Sequence, residues 1–198
     1  MGSFLRETLQ ALLLAIGIFL ALQATVRNFR VEGSSMEPTL YHGQYLVVNK
    51  MRYLRIPIGR LLARLPFSPL PRDAVWEPFS GPRPGDVVVF HHPRDSRRDL
   101  VKRVIAGPGD TVEIRQGHVY VNGRPLHEPY VKRRENFTMP PISLGRDEYF
   151  VLGDNRPVSS DSRSWGPLPR SAIIGKAWFT YWPPSGIGLI EAVTLRRQ

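Results

Sequence analysis

Two side chains in this sequence could together carry out hydrolytic chemistry, a serine and a lysine in separate motifs. Ser35 precedes Met36 in the segment G-S-S-M-E-P-T-L at 33–40, and Lys102 lies in the mostly apolar segment V-K-R-V-I at 101–105. A serine hydroxyl is a weak nucleophile until a base removes its proton. A lysine serves as that base only when its amine is neutral, and burial among apolar side chains lowers its pKa. The pair therefore predicts acyl transfer by a serine nucleophile and a lysine base.

Each of the two residues also has an ordinary structural explanation when its local sequence is taken alone. Ser35 could cap the turn or helix that Pro38 bends. Lys102 could be a surface lysine whose aliphatic stem lies on apolar neighbours. Alternation along a strand would place Lys102 and Arg103 on opposite faces, so only one of them needs to point inward. The local sequence leaves both explanations open.

Other catalytic chemistries find less support in the sequence. Cysteine is absent, which excludes a thiol nucleophile, a thiolate metal site and disulfides. The sequence has no G-x-S-x-G or H-E-x-x-H motif. Adjacent strand residues point to opposite faces, so His91 and His92 are not favoured as joint metal ligands. We expect no metal and no cofactor, and a structural role for all five histidines, which are His42, His91, His92, His118 and His127.

Residues 1–28 are predicted to form a membrane anchor with a single transmembrane helix. No charged residue occurs at 8–26, and 11–22 is wholly apolar. A helix over 8–26 would be about 28 Å long, close to the hydrocarbon thickness of a bilayer. A cleaved signal peptide and a buried soluble helix are the alternatives. The first fits poorly because Leu22 stands where a cut after Ala24 requires a small residue, and the second because 11–22 has no polar face.

The remainder, 29–198, is predicted to be a mainly β domain with antiparallel pairing. Short runs rich in Val, Ile, Tyr and Phe alternate with Gly, Pro, Asn and Asp. Asn122-Gly123 is typical of a tight hairpin turn. The predicted strands are 45–49, 86–90, 100–105, 111–115, 118–121, 149–152 and 173–181.

Two insertions interrupt this pattern. The first, near 52–84, is rich in proline, and its segment 60–65 is either a short basic amphipathic turn on a membrane or an ordinary surface loop. The second, near 128–146, is polar and basic.

The net charge of +10 first suggests nucleic acid as a partner. No recognition-helix, finger or RNA-binding motif accompanies the charge, so we expect no nucleic-acid partner. Anionic lipid headgroups are the better explanation for a chain with a membrane anchor.

Four motifs that occur in a fixed order along the chain are together specific for one protein family. They are 33–40, the segment P-G-D-V-V-V-F at 84–90, the segment from Lys102 to Asp110, and the segment G-D-N-R-P-V-S-S-D-S-R at 153–163. In this order they resemble the bacterial type I signal peptidases, also called leader peptidases, over most of the chain. The resemblance implies a membrane-bound serine endopeptidase that cleaves signal peptides through an acyl-enzyme.

The resemblance also assigns roles to individual residues. It implies that Ser35 is the nucleophile, that its backbone N–H stabilises the oxyanion, and that Lys102 is the general base. It implies that Ser159 orients Lys102. Residues with a structural role by the same resemblance are Gly153, Asn155, Asp161 and Arg163. Gly33 departs from the family pattern, because some members place a serine hydroxyl there as a second oxyanion donor. Pro157 is a further departure, in the link that leads to Ser159.

The substrates implied by the resemblance are exported preproteins whose signal peptides end in Ala-X-Ala. Such a segment should bind as an extended strand, because an exposed strand edge pairs readily with a peptide. Positions implied to bind it are Val31, Gly33, Met36, Leu40 and Val101, although plain core packing is the alternative for the apolar ones. The family resemblance places the chain in the bacterial cell membrane with its catalytic domain on the extracytoplasmic side.

Two other hypotheses remain at this stage. One is a different serine–lysine peptidase, such as a self-cleaving repressor-like protein, against which the apolar N-terminal segment argues. The other is a non-catalytic, membrane-anchored binding module, against which the presence of both Ser35 and Lys102 argues.

Overall fold

A computed structural model describes residues 2–63 and 71–195. Most regular structure is β, in two antiparallel sheets, which confirms the mainly β, antiparallel part of the predicted fold class. The helices are α1 (Gly2–Thr25), α2 (Ile58–Leu62) and α3 (Ser162–Trp165). The strands are β1 (Val26–Arg30), β2 (Tyr45–Asn49), β3 (Val87–His92), β4 (Asp95–Ala106), β5 (Thr111–Arg115), β6 (His118–Val121), β7 (Arg124–Pro125), β8 (Met139–Ser143), β9 (Glu148–Leu152), β10 (Leu168–Pro169), β11 (Ile173–Trp182) and β12 (Gly188–Leu189).

The larger sheet has the strand order β1-β2-β11-β3-β4-β9-β10, with β12 paired to β11. Its central strands are Val-rich and buried on both faces, as in the fully buried run Val87–Phe90 of β3. The register places Val88 of β3 opposite Lys102 of β4. The sheet therefore brings a lysine between apolar strands, where the local sequence alone left a surface position open.

The smaller sheet has the order β7-β6-β5-β8. The predicted Asn-Gly hairpin is confirmed, because Val121 pairs with Arg124. Asn122 and Gly123 both have positive φ, 54° and 75°, as this type of turn requires. Side chains from this sheet and from the ends of β4 and β9 form one apolar core, which includes Val112, Val121 and Phe150. This core fixes the end of β4 that follows Lys102.

Several strand limits differ from the predictions. β4 begins at Asp95 rather than at 100, because it continues a hairpin with β3 in which His91 pairs with Asp99. Two strands of five residues were not predicted from the sequence. One is β1, which carries two arginines, and the other is β8, whose two prolines suit an edge strand. Since β8 pairs with β5, the predicted insertion at 128–146 contains part of the smaller sheet.

α1 covers 24 residues and ends at Thr25, where β1 begins. Its apolar side chains are largely exposed, including Leu14 and Leu20 at 66% and 60%. No helix in the described ranges combines the length and hydropathy that a membrane span requires. The predicted transmembrane helix is therefore not confirmed.

The proline-rich excursion is fastened to the larger sheet near its start. Tyr53 is buried, and its hydroxyl donates to Asp86 Oδ2 at 2.7 Å. Ile56 and Trp76 form a β-bridge that closes the excursion. α2 covers 60–62 of the predicted turn at 60–65, Ala63 caps the helix, and 64–65 lie outside the described residues.

Candidate active site

Ser35 and Lys102 are in direct contact. The Lys102 Nζ donates a hydrogen bond to the Ser35 Oγ at 2.6 Å, although 67 residues separate them in sequence. Lys102 lies on β4, and Ser35 lies in the turn that follows β1. The two predicted catalytic residues are thus brought together by the packing of two distant segments.

The Lys102 side chain is buried, with 3% of its surface exposed. Burial lowers its pKa from 10.5 to about 8, against the opposing effect of the Asp161 and Asp154 carboxylates. Burial disfavours a charged amine because the apolar surroundings solvate it less well than water. The neutral amine that a lysine base needs is therefore accessible near neutral pH.

The turn that carries Ser35 is held in place by backbone and side-chain hydrogen bonds. The Asn155 backbone N–H donates to the Ser35 carbonyl oxygen at 3.0 Å. The Asn155 Nδ2 donates to the Ser34 carbonyl oxygen at 3.1 Å. On the other side of the turn, the Gly33 N–H donates to His42 Nδ1 at 3.0 Å. Asn155 thus contacts the Ser35 turn directly, more closely than the sequence analysis described.

A buried ion pair on the opposite face of β4 also supports the turn. Arg103 and Asp154 are 1% and 0% exposed in their side chains. Arg103 donates through Nε and Nη2 to the two carboxylate oxygens of Asp154, at 2.9 and 2.7 Å. Thr39, in the Ser35 turn, hydrogen-bonds to both partners. No role was predicted for this pair, although both residues lie in the motifs that carry the resemblance.

The segment 153–163 is held by two further ion pairs. The expected pair of Asp161 and Arg163 is present, with Nε to Oδ1 at 2.8 Å. Arg163 Nη2 also donates to the carbonyl oxygens of Arg156 and Ser159, at 2.7 and 3.2 Å. Arg156 pairs with Glu128, and both are buried. The Glu128–Arg156 pair was missed, because nothing in the local sequence marks Glu128 as buried.

Ser159 does not make the predicted contact with Lys102. Its Oγ is buried and, among the described residues, has no hydrogen-bond partner. The hydroxyl instead lies where a side chain at Gly153 would be, 2.2 Å from the Cβ position of that residue. The link 156–159 that leads to Ser159 begins as a short 3-10 helix with Pro157 in its first turn.

An open cleft of about 380 Å³ leads away from the Ser35–Lys102 pair. One wall is formed by the segment 29–32, and the other by the part of β4 that precedes Lys102. Val31 and Val101 line this cleft as predicted. Met36 and Leu40 do not, since both are 1% exposed and packed in the core beneath the turn. Gly33 does not line the cleft either.

The described residues contain no group of three or more His, Asp or Glu side chains that could hold a metal ion. His91 lies 2.6 Å from Asp99, and His92 packs against the Trp165 ring. The two neighbouring histidines therefore have different partners.

A comparison of the chain with known protein families gives a family in keeping with a lysine hydrogen-bonded to a serine hydroxyl. The model of the family described as signal peptidase, peptidase S26, matches residues 5–182. The chain belongs to this family. It is therefore a hydrolase of the serine peptidase class, and the predictions of family and enzyme class are confirmed.

Two signal peptidases are similar in sequence to the chain over most of its length. The probable signal peptidase I-1 of Synechocystis sp. is 35% identical, over 96% of this chain and 89% of that protein. Signal peptidase I of Bacillus caldolyticus is also 35% identical, over 79% of each chain. A crystal structure of a signal peptidase I from Enterococcus faecalis is 32% identical and has a TM-score of 0.44, covering 49% of this chain and 97% of that one.

Gly153 is the position in this signal peptidase site with the least room for change. A Cβ there would lie 2.6 Å from the Ser35 carbonyl oxygen as well as against Ser159. We expect Gly153→Ala to displace the Ser35 turn, reducing kcat/KM at least tenfold and lowering the free energy of unfolding by about 2 kcal/mol. Cleavage assays and urea denaturation check the two effects. Gly188→Ala, where a Cβ meets nothing within 4 Å and the glycine has no positive φ, is the control, and equal behaviour of the two variants would contradict the expectation.

Proposed function

We propose that this chain cleaves signal peptides from exported preproteins, with Ser35 as nucleophile and Lys102 as general base. The observation that carries the proposal is the 2.6 Å contact between the Ser35 Oγ and the buried Lys102 Nζ. The S26 family membership supports preproteins as the substrate class.

The proposed reaction starts from the neutral form of Lys102. In that form the hydrogen bond reverses, and the Ser35 hydroxyl donates to the amine. As the Ser35 oxygen attacks the scissile carbonyl carbon, its proton moves to Lys102. The resulting ammonium then protonates the leaving amine of the mature protein. Lys102, neutral again, removes a proton from the water that attacks the acyl ester. It passes this proton to the Ser35 oxygen as the signal peptide is released.

The oxyanion that forms on the carbonyl carbon needs hydrogen-bond donors already in place. We propose the Ser35 backbone N–H as one donor, because the bonds from Asn155 to the carbonyls of Ser34 and Ser35 orient this turn. Gly33 has no side chain to add a second, so a backbone group or water serves there.

The substrate residues that precede the scissile bond are proposed to lie in the cleft as an extended strand. The half of β4 that precedes Lys102 does not pair with β9, whose register with β4 begins at Arg103. An unpaired strand edge offers backbone donors and acceptors to a peptide. Val31 and Val101 are placed to form the apolar contacts that favour small residues.

The test is cleavage of a preprotein ending in Ala-X-Ala by the detergent-solubilised full chain. Mass spectrometry should place the cut after the second alanine for the wild type, and Ser35→Ala and Lys102→Ala should show no cut. Matched controls are Ser96→Ala and Lys132→Ala, which replace exposed residues of the same types. Full turnover by either site variant, or none by folded wild type, would contradict the proposal.

The rate of cleavage is expected to rise with pH through about 8, the pKa to which burial lowers Lys102. Below this value the lysine is protonated and cannot accept the Ser35 proton, so kcat/KM should fall about tenfold for each further pH unit. Stopped-flow or discontinuous assays from pH 6 to 9.5 measure the profile. A flat profile in a range where the protein stays folded would exclude a lysine base.

We also propose that α1 anchors the chain to the bacterial cell membrane, with the peptidase domain on the extracytoplasmic side. The support is the exposure of the apolar side chains along α1, together with the absence of charge at 8–26. Retention in the membrane pellet after an alkaline carbonate wash, and digestion of the domain by external protease in spheroplasts, test the two parts. Release by the wash would contradict the anchor.

A further inference from the structure

The end of the cleft that lies farthest from Lys102 is lined by cations. Arg30, Arg97 and Arg98 line it, and we call these three the distal basic rim. Ser35 and Lys102 lie at the opposite end. Because both walls run toward the Ser35–Lys102 pair in order of sequence, a strand bound between them would pass from the rim to the scissile bond.

The acidic residues near the rim leave its charge largely uncompensated. Asp99 is already engaged, by His91 at 2.6 Å and by Arg27 at 3.7 Å. Glu32 also lines the cleft, but it lies two residues after Arg30 and therefore nearer to Ser35.

The three arginines themselves have weak partners or none. Arg97 contacts Asp95 at 3.3 Å, but its side chain is 92% exposed, so this pair contributes little. Within the described residues, Arg30 and Arg98 take part in no ion pair. Arg30 instead lies over the Tyr45 ring, 5.8 Å from its centroid.

The distance from the scissile bond to the rim sets the substrate position that it meets. Arg97 precedes Lys102 by five residues on β4. Arg98 precedes Lys102 by four residues, and β4 leaves its regular register with β3 between Asp99 and Asp95. An extended strand advances about 3.3 Å per residue, so the near end of the rim, at Arg98, lies about 13 Å from the reacting atoms. A substrate residue five positions before the scissile bond would therefore lie beside the arginines.

We propose that the distal basic rim selects substrates by charge, favouring an acidic side chain five residues before the scissile bond and disfavouring a lysine there. This inference rests on the proposed function, since it assigns the cleft to the residues that precede the bond. The rim acts on substrate binding and takes no part in the bond-breaking steps. We therefore expect it to change KM rather than kcat.

The experiment compares three peptides that share an Ala-X-Ala end and differ only at the fifth position, which is Asp, Asn or Lys. The full chain in neutral detergent should cleave the Asp peptide about tenfold more efficiently than the Lys peptide, because exposed charges in contact typically contribute up to about a kilocalorie per pair. The ratio should shrink toward one in 0.5 M salt, since salt screens exposed charges.

The variant Arg97→Glu/Arg98→Glu should reverse the order of the Asp and Lys peptides, and the change should appear in KM rather than in kcat. The control is Arg94→Glu, the same type of substitution made once, on the same hairpin, at an exposed residue that does not line the cleft. It should leave the order unchanged. Equal rates for all three peptides, or a preference that survives the double change, would overturn the inference.

Binding to the Ser35→Ala variant, measured by fluorescence anisotropy, separates this inference from the proposed function. Charge-dependent affinity without cleavage by the wild type would support the rim and contradict the peptidase assignment. Affinity that does not depend on the peptide charge, together with normal cleavage, would support the peptidase assignment and contradict the proposed role of the rim. If peptides show no charge preference but Arg97→Glu/Arg98→Glu loses binding to phosphatidylglycerol vesicles, the rim contacts lipid headgroups and the inference is wrong.

Discussion

Lys102→Met is expected to abolish cleavage and at the same time to stabilise the folded chain at neutral pH. Methionine has a similar length and no charge, so it fills the space of a side chain that is 3% exposed without a buried amine. Without Lys102, nothing in the described site is placed to take the Ser35 proton. One substitution should thus separate catalysis from stability.

The sign of the stability effect follows from the lowered pKa of Lys102, about 8 in the folded chain against 10.5 as its ordinary value. Between these values the unfolded chain binds more protons than the folded one, so wild-type stability rises with pH there. Below pH 8 the buried charge carries its full cost, about 3 kcal/mol on this difference. Above pH 10.5 the cost disappears.

Urea denaturation of the full chain in detergent, at pH 7 and at pH 10.5, measures this effect. Lys102→Met should unfold at higher urea than wild type at pH 7, and the gap should close at the higher pH. Lys132→Met, at an exposed lysine, is the control and should change neither value. If Lys102→Met were less stable than wild type at both pH values, burial of the Lys102 amine would not destabilise the folded chain.

The Ser35–Lys102 pair shows how far the sequence predicts the site. The strand pattern places Lys102 and Arg103 on opposite faces, and the structure agrees. Yet both are buried, because the Ser35 hydroxyl meets Lys102 on one side of β4 while Asp154 and Thr39 meet Arg103 on the other. Arg103 and Asp154 are 51 residues apart, and no local pattern reveals that a charged residue has such a partner.

The substrate positions show the limit of a residue-by-residue transfer from a family. Val31 and Val101 line the cleft, whereas Met36 and Leu40 do not, although Val31 is itself 3% exposed and belongs to the same core as Met36 and Leu40. The difference arises from the turn at 33–40, in which the Leu40 N–H donates to the Met36 carbonyl oxygen at 2.9 Å. This turn directs both side chains away from the cleft, and its geometry depends on contacts with 153–155 that the local sequence does not contain.

Asp154→Ala is expected to cause the largest loss of stability among single changes at the site. Asp154 is fully buried, and it accepts hydrogen bonds from Arg103 Nε and Nη2 and from the Thr39 hydroxyl. Alanine would leave the Arg103 guanidinium buried without its counter-ion, which typically costs about 3–5 kcal/mol. The Ser35 turn would also lose the contact through Thr39, so kcat should fall in the molecules that remain folded.

The same change should alter the pH profile of the folded fraction. Asp154 raises the pKa of Lys102, opposing the effect of burial, so its removal should shift the rise in kcat/KM to lower pH. A purely structural role for Asp154 would not move this midpoint.

The paired replacement Arg103→Met/Asp154→Leu should recover most of the lost stability, because it removes both buried charges at once. Asp95→Ala, at a carboxylate whose partner Arg97 is largely exposed, is the matched control. If Asp154→Ala unfolded at the urea concentration of wild type, the ion pair could not be what holds the Ser35 turn against β4.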